Sequence, residues 1–155
     1  MTMKPIQVGL LGIGTVGSGT FNVLKRNQSE IKRRAGRGIE ITMVADLDVA
    51  RAQTIVGPDV KVVNDARAII ANPDIDIVIE LIGGYGLARA RGMEAIAAGK
   101  HVVTANKALL ALGDRTLLER ALANTDGGGT RLLAVGRTGF AAPRELSQVL
   151  DLATD

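Results

Sequence analysis

Apolar residues fill positions 6–11 with only Gln7 and Gly9 between them, a run of strand length that is too short for a helix. Gly12 then opens a turn, and Val16, Thr20, Val23, Leu24 and Ile31 recur at helical spacing, which predicts a buried strand feeding one long helix. The alternation continues with a strand over 39–45, a short helix over 48–56 ended by Gly57 and Pro58, and a strand over 60–63. A helix over 65–71 is stopped by Asn72 and Pro73, and residues 75–82, apolar around Asp76 and Glu80, read as the most strand-like segment of the chain. After Gly83 and Gly84 come a helix over 87–98, closed by Gly99, and a strand over 101–104. Further on, 115–123 reads as a helix, 131–135 as a sixth strand and 145–152 as a last helix.

Strands that alternate with helices, joined by short glycine-bearing turns and apolar on both faces, pair in parallel with helices covering the sheet. The expected fold class is α/β, a Rossmann-type doubly wound parallel sheet of about six strands. The length of 155 residues suits a single core, and no stretch approaches the roughly 20 apolar residues of a membrane span. Residues 1–5 lack the apolar core of a secretory leader, so the expected compartment is the cytoplasm and no membrane partner is expected. With no cysteine and one histidine, His101, disulfide scaffolds, thiolate centres and ordinary zinc sites are excluded, and no metal site is expected. Phe21, Tyr85 and Phe140 are the whole aromatic set, too few for base stacking. A basic cluster of Lys25, Arg26, Lys32, Arg33, Arg34 and Arg37 against Glu30 is what a nucleic-acid surface would need. The preferred reading is a helix end, where cations interact favourably with the dipole and Gly36 and Gly38 stop the helix, so no nucleic-acid partner is expected.

Gly12, Gly14 and Gly17 form G-x-G-x-x-G between the first strand and its helix, a context that makes an otherwise weak pattern specific for a dinucleotide. Gly12 permits the tight turn, Gly14 lets backbone approach a pyrophosphate, and Gly17 lets the helix pack close to the strand. The N–H groups of Ile13, Gly14, Thr15 and Val16 are expected to be free to face the anion. Asp46, at the end of the second strand and 34 residues after Gly12, is the candidate acceptor for ribose hydroxyls. A carboxylate there favours NAD by repelling a 2′-phosphate, while Arg51 could fold back to accept one, so the expected cofactor is NAD or NADP. Ile82, Gly83 and Gly84, beyond the fourth strand, are expected to line the nicotinamide side of the crevice, and Glu80 is either part of the site or an acceptor for backbone N–H groups. The fifth strand ends in Thr104, Ala105, Asn106 and Lys107. A lysine and an amide on that rim are placed to hold a carbonyl or carboxylate against the nicotinamide, whereas His101 starts the strand at the opposite rim and reads as structural.

The segments GLLGIGTVGSG at 9–19, IDIVIELIGGY at 75–85 and AGKHVVTANKALLAL at 98–112 together resemble the cofactor-binding domain of homoserine dehydrogenases, and the RRAGRG loop at 33–38 is similar as well. The resemblance runs from about residue 6 to residue 112. It implies NAD(P)-dependent interconversion of homoserine and aspartate semialdehyde, a branch point toward threonine, methionine and isoleucine. It also places Lys107 close to nicotinamide and substrate as the catalytic candidate, with Thr104, Ala105 and Asn106 framing the nicotinamide. From Gly113 the chain departs from the family pattern, reading RLLAVGRTGFAAPRELSQVLDLATD over 131–155, and 127–155 looks like a truncated, frame-shifted or otherwise altered end. The expected division is therefore an NAD(P)-binding Rossmann domain over 1–135 and an atypical segment over 136–155, with the catalytic and substrate domain and the oligomerisation elements absent. The isolated chain is expected to lack turnover. The alternatives are the cofactor domain of another amino-acid or semialdehyde dehydrogenase, and a non-catalytic NAD(P)-binding module.

Overall fold

The computed structural model describes residues 3–84, 86–105 and 132–134, the last three by backbone alone. In chain order the elements are β1 (Ile6–Leu11), α1 (Thr15–Arg26), α2 (Gln28–Ala35), β2 (Ile39–Ala45), α3 (Val49–Val56) and β3 (Lys61–Val63). They continue with α4 (Ala66–Ile70), β4 (Ile77–Glu80), α5 (Gly86–Ala97), β5 (His101–Thr104) and β6 (Leu132–Ala134). The six strands form one sheet in the order β3-β2-β1-β4-β5-β6, and every neighbouring pair is parallel. Sequence order thus reverses between β1 and β4, the place where an open sheet of this kind leaves a crevice beyond its strand ends. The expected helices over 115–123 and 145–152 lie outside the described residues.

Two apolar clusters sandwich the sheet, as expected when helices cover both faces. One joins Val8, Leu10, Ile13, Phe21, Ile41, Val44, Ala52, Val56 and Val60, and takes its helical residues from α1 and α3. The other joins residues such as Leu11, Met43, Ile69, Ile70, Val78, Ala95, Ile96 and Val102, and takes its helical residues from α4 and α5. Each fully buried Leu, Ile or Val in them stabilises the fold by about 1.5–3 kcal/mol relative to exposure. Ile41 and Met43 are two apart yet belong to opposite clusters. The cause is a bulge: Val8 pairs with Ile41 but Gly9 with Met43, so Thr42 is an extra residue that inverts the facing of the rest of β2.

Two elements differ from the sequence expectation by more than one residue at an end. The single long helix is two, because Asn27, at φ −100° and ψ 20°, leaves helical geometry and turns its side-chain amide back onto the Val23 carbonyl at 2.8 Å. The strand expected over 75–82 pairs only from Ile77 to Glu80, although Leu81 still donates to the Leu11 carbonyl at 2.9 Å. It ends because the Ile82 N–H is captured by the Glu80 carboxylate at 2.6 Å. Gly36 stops α2 at φ +77°, and in that helix Glu30 pairs with both Arg33 and Arg34 at 2.6 Å on the exposed surface. No helix among the described residues is long and apolar enough to cross a membrane.

Candidate functional site

A cavity of about 400 Å³ opens at the carboxyl ends of the strands, within the size range of small-molecule sites. Its walls bring together Gly12 and Gly14 after β1, Asp46, Leu47 and Arg51 after β2, and Ile82 and Gly83 after β4. Gly12 turns at φ +89°, and a Cβ there would stand 3.1 Å from the Leu81 carbonyl oxygen, so the loop and the end of β4 touch backbone to backbone. At Gly17 a Cβ would run into the carbonyl oxygen of Gly12, which is why α1 can start directly over β1 only with glycine there. Gly14 differs from both. Nothing lies within 4 Å of where its Cβ would be, so the missing side chain leaves open space at the mouth of the cavity.

Helix geometry leaves the N–H groups of Thr15, Val16 and Gly17 without acceptors inside α1, and no acidic side chain occupies its first turn. Thr15 and Val16 are exposed there. Such an end attracts an anion through its N–H groups and its dipole. The expectation that the Ile13 N–H is also free is corrected by the structure. Ile13 is fully buried, and its N–H donates to Asp46 Oδ2 at 3.0 Å.

Asp46 is wired into its surroundings. Its Oδ1 accepts from the Asp48 N–H at 2.9 Å, and Arg51 Nη2 lies 3.3 Å from Oδ2 while Arg51 Nη1 donates to the Ile13 carbonyl at 3.1 Å. Partial burial pushes the Asp46 carboxyl up, but the N–H groups of Ile13 and Asp48 and the Arg51 guanidinium outweigh it and hold the group below its ordinary value. Asp46 therefore braces the glycine loop against β2 as well as facing the cavity. Arg51 is held over it, with Asp48 capping α3 through the Arg51 N–H at 3.0 Å.

On the β4 and β5 side, Ile82 and Gly83 line the cavity, and Gly84 follows at φ +87°. Glu80 is 1% exposed; besides holding Ile82, it accepts from the Thr104 hydroxyl through Oε2 at 2.7 Å. Burial pushes its carboxyl up from the ordinary value, against the pull of the Thr104 and Ile82 hydrogen bonds. Thr104 is itself buried, its hydroxyl directed to Glu80, while Ala105 beside it is exposed. Asn106 and Lys107 lie outside the described residues. His101 sits at the far end of β5, opposite Ile77.

The cavity also has walls that the motif did not point to: Leu47, 92% exposed, with Asn64, Asp65, Ala66, Leu87 and Arg91. Leu47 is the legible part of this, since an apolar residue on a loop just past a strand end has no core to fill, whereas Leu87 sits exposed in the first turn of α5. Arg91 donates to both oxygens of Glu94, at 2.9 and 3.0 Å, and shares that carboxylate with Arg67 at 3.2 Å. Lys100, unremarkable in sequence, is buried with its Nζ donating to the carbonyls of Asn72 and Ile75 at 2.6 and 2.7 Å, and burial lowers its pKa. It ties the turn before β4 to the start of β5, at the end of the sheet away from the cavity.

The family described as homoserine dehydrogenase, NAD binding domain, matches residues 12–134. The chain is 62% identical over 109 residues to a homoserine dehydrogenase of Methylobacillus glycogenes, covering 70% of this chain and 26% of that protein. It is 50% identical over 120 residues to the homoserine dehydrogenase of Pseudomonas aeruginosa, covering 77% of this chain and 27% of that protein. Among solved structures, a homoserine dehydrogenase from Thiobacillus denitrificans superposes with a TM-score of 0.76 at 45% identity, over 84% of this chain and 29% of that one. The chain thus spans about a quarter of the length of the curated relatives it matches.

Proposed function

The chain belongs to the homoserine dehydrogenase family, as its NAD-binding domain, and from that premise we propose that it holds NAD or NADP across the β1/β4 crevice for interconversion of homoserine and aspartate semialdehyde. The observation that carries this reading is the open space over Gly14 in front of the α1 N-terminus, a cradle that any side chain would fill. The pyrophosphate rests against Gly14, Thr15, Val16 and Gly17, whose N–H groups supply the donors, while Gly12 and Ile13 shape the turn. Asp46 and Arg51 face the adenosine ribose, with Leu47 and Leu87 against the base. Ile82, Gly83 and Gly84 flank the nicotinamide half from β4, and Thr104, Ala105 and Asn106 close it from β5. When bound, the cofactor supplies or accepts the hydride. Lys107 is the one catalytic residue we assign, held near the substrate's reacting end.

The cofactor domain in this proposal comprises residues 1–135, with 136–155 outside it. The site is that of a cytoplasmic enzyme acting on a small amino acid. For the 155 residues by themselves we expect no ordinary turnover, because hydride transfer needs the reacting carbon held about 3–3.5 Å from the nicotinamide. One lysine does not fix both ends of the substrate. Two measurements test the reading: calorimetric titration with NADH and NADPH, and aspartate semialdehyde-dependent oxidation of either. Saturable binding without turnover is the expected result. No binding of either nucleotide would overturn the cofactor site, and turnover abolished by Lys107→Ala would overturn the expectation that these 155 residues do not turn over.

A further inference from the structure

Directly opposite each other in the β4–β5 register, Glu80 and Thr104 are the last paired residues of their strands, and both are buried. The Thr104 hydroxyl donates to one carboxylate oxygen of Glu80 at 2.7 Å and the Ile82 N–H donates to the other at 2.6 Å. One carboxylate at the end of β4 therefore holds two partners: the end of β5 and Ile82, the second residue of the loop that lines the cavity. The same loop leans on the glycine turn through Leu81, whose N–H donates to the Leu11 carbonyl and whose own carbonyl meets Gly12. Val78 and Val102, two residues back on the same face, make the equivalent contact with apolar side chains, and they do so within the core cluster.

Packing alone would be served as well by a third apolar pair, because a buried carboxylate is costly to desolvate and gains little unless its hydrogen bonds are needed. What an apolar pair cannot do is hold the Ile82 N–H at a fixed direction. We infer that Glu80 is a positioning residue for the nicotinamide half of the cofactor, holding Ile82 on the cavity wall and tying it through Thr104 to the end of β5, so that the β4 rim of the crevice is fixed. The inference rests on the proposed dinucleotide site and deepens it. The adenosine half, bounded by Asp46, Arg51 and Leu47, is built on β1 and β2 and does not depend on this clamp.

That separation gives the test. The 155-residue chain is titrated calorimetrically with NADH and with ADP-ribose, which shares the adenosine and pyrophosphate but lacks nicotinamide; NADPH and 2′-phospho-ADP-ribose are run in parallel. Thr104→Val keeps the shape of the side chain and removes the hydroxyl. It is expected to weaken the complete dinucleotide by about fivefold to tenfold while ADP-ribose stays within about twofold. Thr104→Ser restores the donor and the affinity. Glu80→Gln, whose carbonyl still accepts from Ile82 and whose amide donates to the threonine oxygen, stays near wild type, whereas Glu80→Met reproduces the selective loss. Should Thr104→Val be unfolded by circular dichroism, the Gln and Met variants carry the comparison. Equal losses for both ligands would reduce the pair to a structural role and overturn the inference, as would unchanged NADH affinity in the breaking variants or no difference between NADH and ADP-ribose in the wild type. If the wild type bound none of the four ligands, the dinucleotide site itself would fall, and the clamp with it.

Discussion

On the β1–β2 side of the crevice the geometry is made by backbone and by groups that reach the surface. Asp46, with its side chain 15% exposed, braces Ile13, and Arg51, 45% exposed, spans Asp46 and the Ile13 carbonyl. On the β4–β5 side the corresponding carboxylate, Glu80, is buried and meets one hydroxyl and one N–H, with no cation against it among its described bonds. The two carboxylates consequently move in opposite directions, Asp46 toward easier ionisation and Glu80 toward harder. The contrast separates two ways of shaping a binding rim. Glycines with a charged brace leave anion-binding N–H groups bare, while a desolvated carboxylate fixes a loop whose contacts with the ligand are mainly shape.

The contrast breaks most completely at Gly17. Because a Cβ there meets the Gly12 carbonyl oxygen, which is backbone and cannot step aside cheaply, Gly17→Val forces α1 off β1. Overpacking of this kind costs about 1–3 kcal/mol or more, so thermal unfolding moves down by several degrees and nucleotide binding goes with it. A melting temperature equal to wild type would show that the helix and strand are not pressed together at this point.

Gly14→Val sharpens the comparison by removing the ligand without disturbing the fold. Its added atoms enter empty space, so the melting temperature stays close to wild type while titration with NADH and NADPH loses its signal. Equal nucleotide affinity in Gly14→Val and wild type would remove the pyrophosphate from this loop. The effect is second to that of Gly17 because only binding is lost.

Arg51 gives a smaller effect confined to the adenosine side. With Asp46 facing the ribose, NAD is expected to bind at least as tightly as NADP. Arg51→Ala is expected to weaken NADP by roughly tenfold, the scale of one charge-assisted hydrogen bond, and to leave NAD within about threefold. A clear NADP preference in the wild type that vanishes in Arg51→Ala would mean that the guanidinium, and not the carboxylate, decides cofactor choice.

How much of this was legible in the sequence divides along the same line. Most strand starts and helix stops were readable because apolar runs of strand length are bounded by Gly12, Gly36, Gly57, Pro73 and Gly99, and each described crossover from β1 to β5 carries a helix. The tight turn at Gly12 and the close packing at Gly17 were readable, since backbone approach needs glycine whatever surrounds it. What escaped was side-chain wiring between elements. The Ile13 N–H was expected to face the anion, yet nothing within the loop tells that Asp46, 33 residues away, takes it. The inversion at Thr42 escaped because a bulge shows only against a partner strand, and the early end of β4 because it depends on Glu80 turning back to Ile82. Lys100 carries no signal of its own in the sequence, and its burial depends on carbonyls at Asn72 and Ile75, which pattern alone does not aim.

The smallest expected effect, and the one that addresses the two carboxylates together, is the dependence of stability on pH. The Glu80 carboxyl is raised in the folded chain, so ionising it opposes folding. Relative to Glu80→Gln, the wild type gains stability as pH falls through the raised folded value toward the ordinary carboxylate range near about 4.3, and below that range the difference is constant. Asp46 is lowered, so its ionised form supports folding above its ordinary value near about 3.9, and that support is lost as pH falls through the lowered folded value. The wild type minus Asp46→Asn difference is therefore flat at neutral pH and shrinks only in strong acid, where the Glu80 difference has already levelled. Thermal denaturation of the wild type and both variants between about pH 3 and pH 8 resolves the two windows, because the first lies above the ordinary carboxylate range and the second below it. Both differences changing in the same window, or the wild type losing stability to Glu80→Gln as the medium turns mildly acidic, would show that Glu80 is held ionised by partners of the kind that hold Asp46. The opposition between the two rims would then not exist.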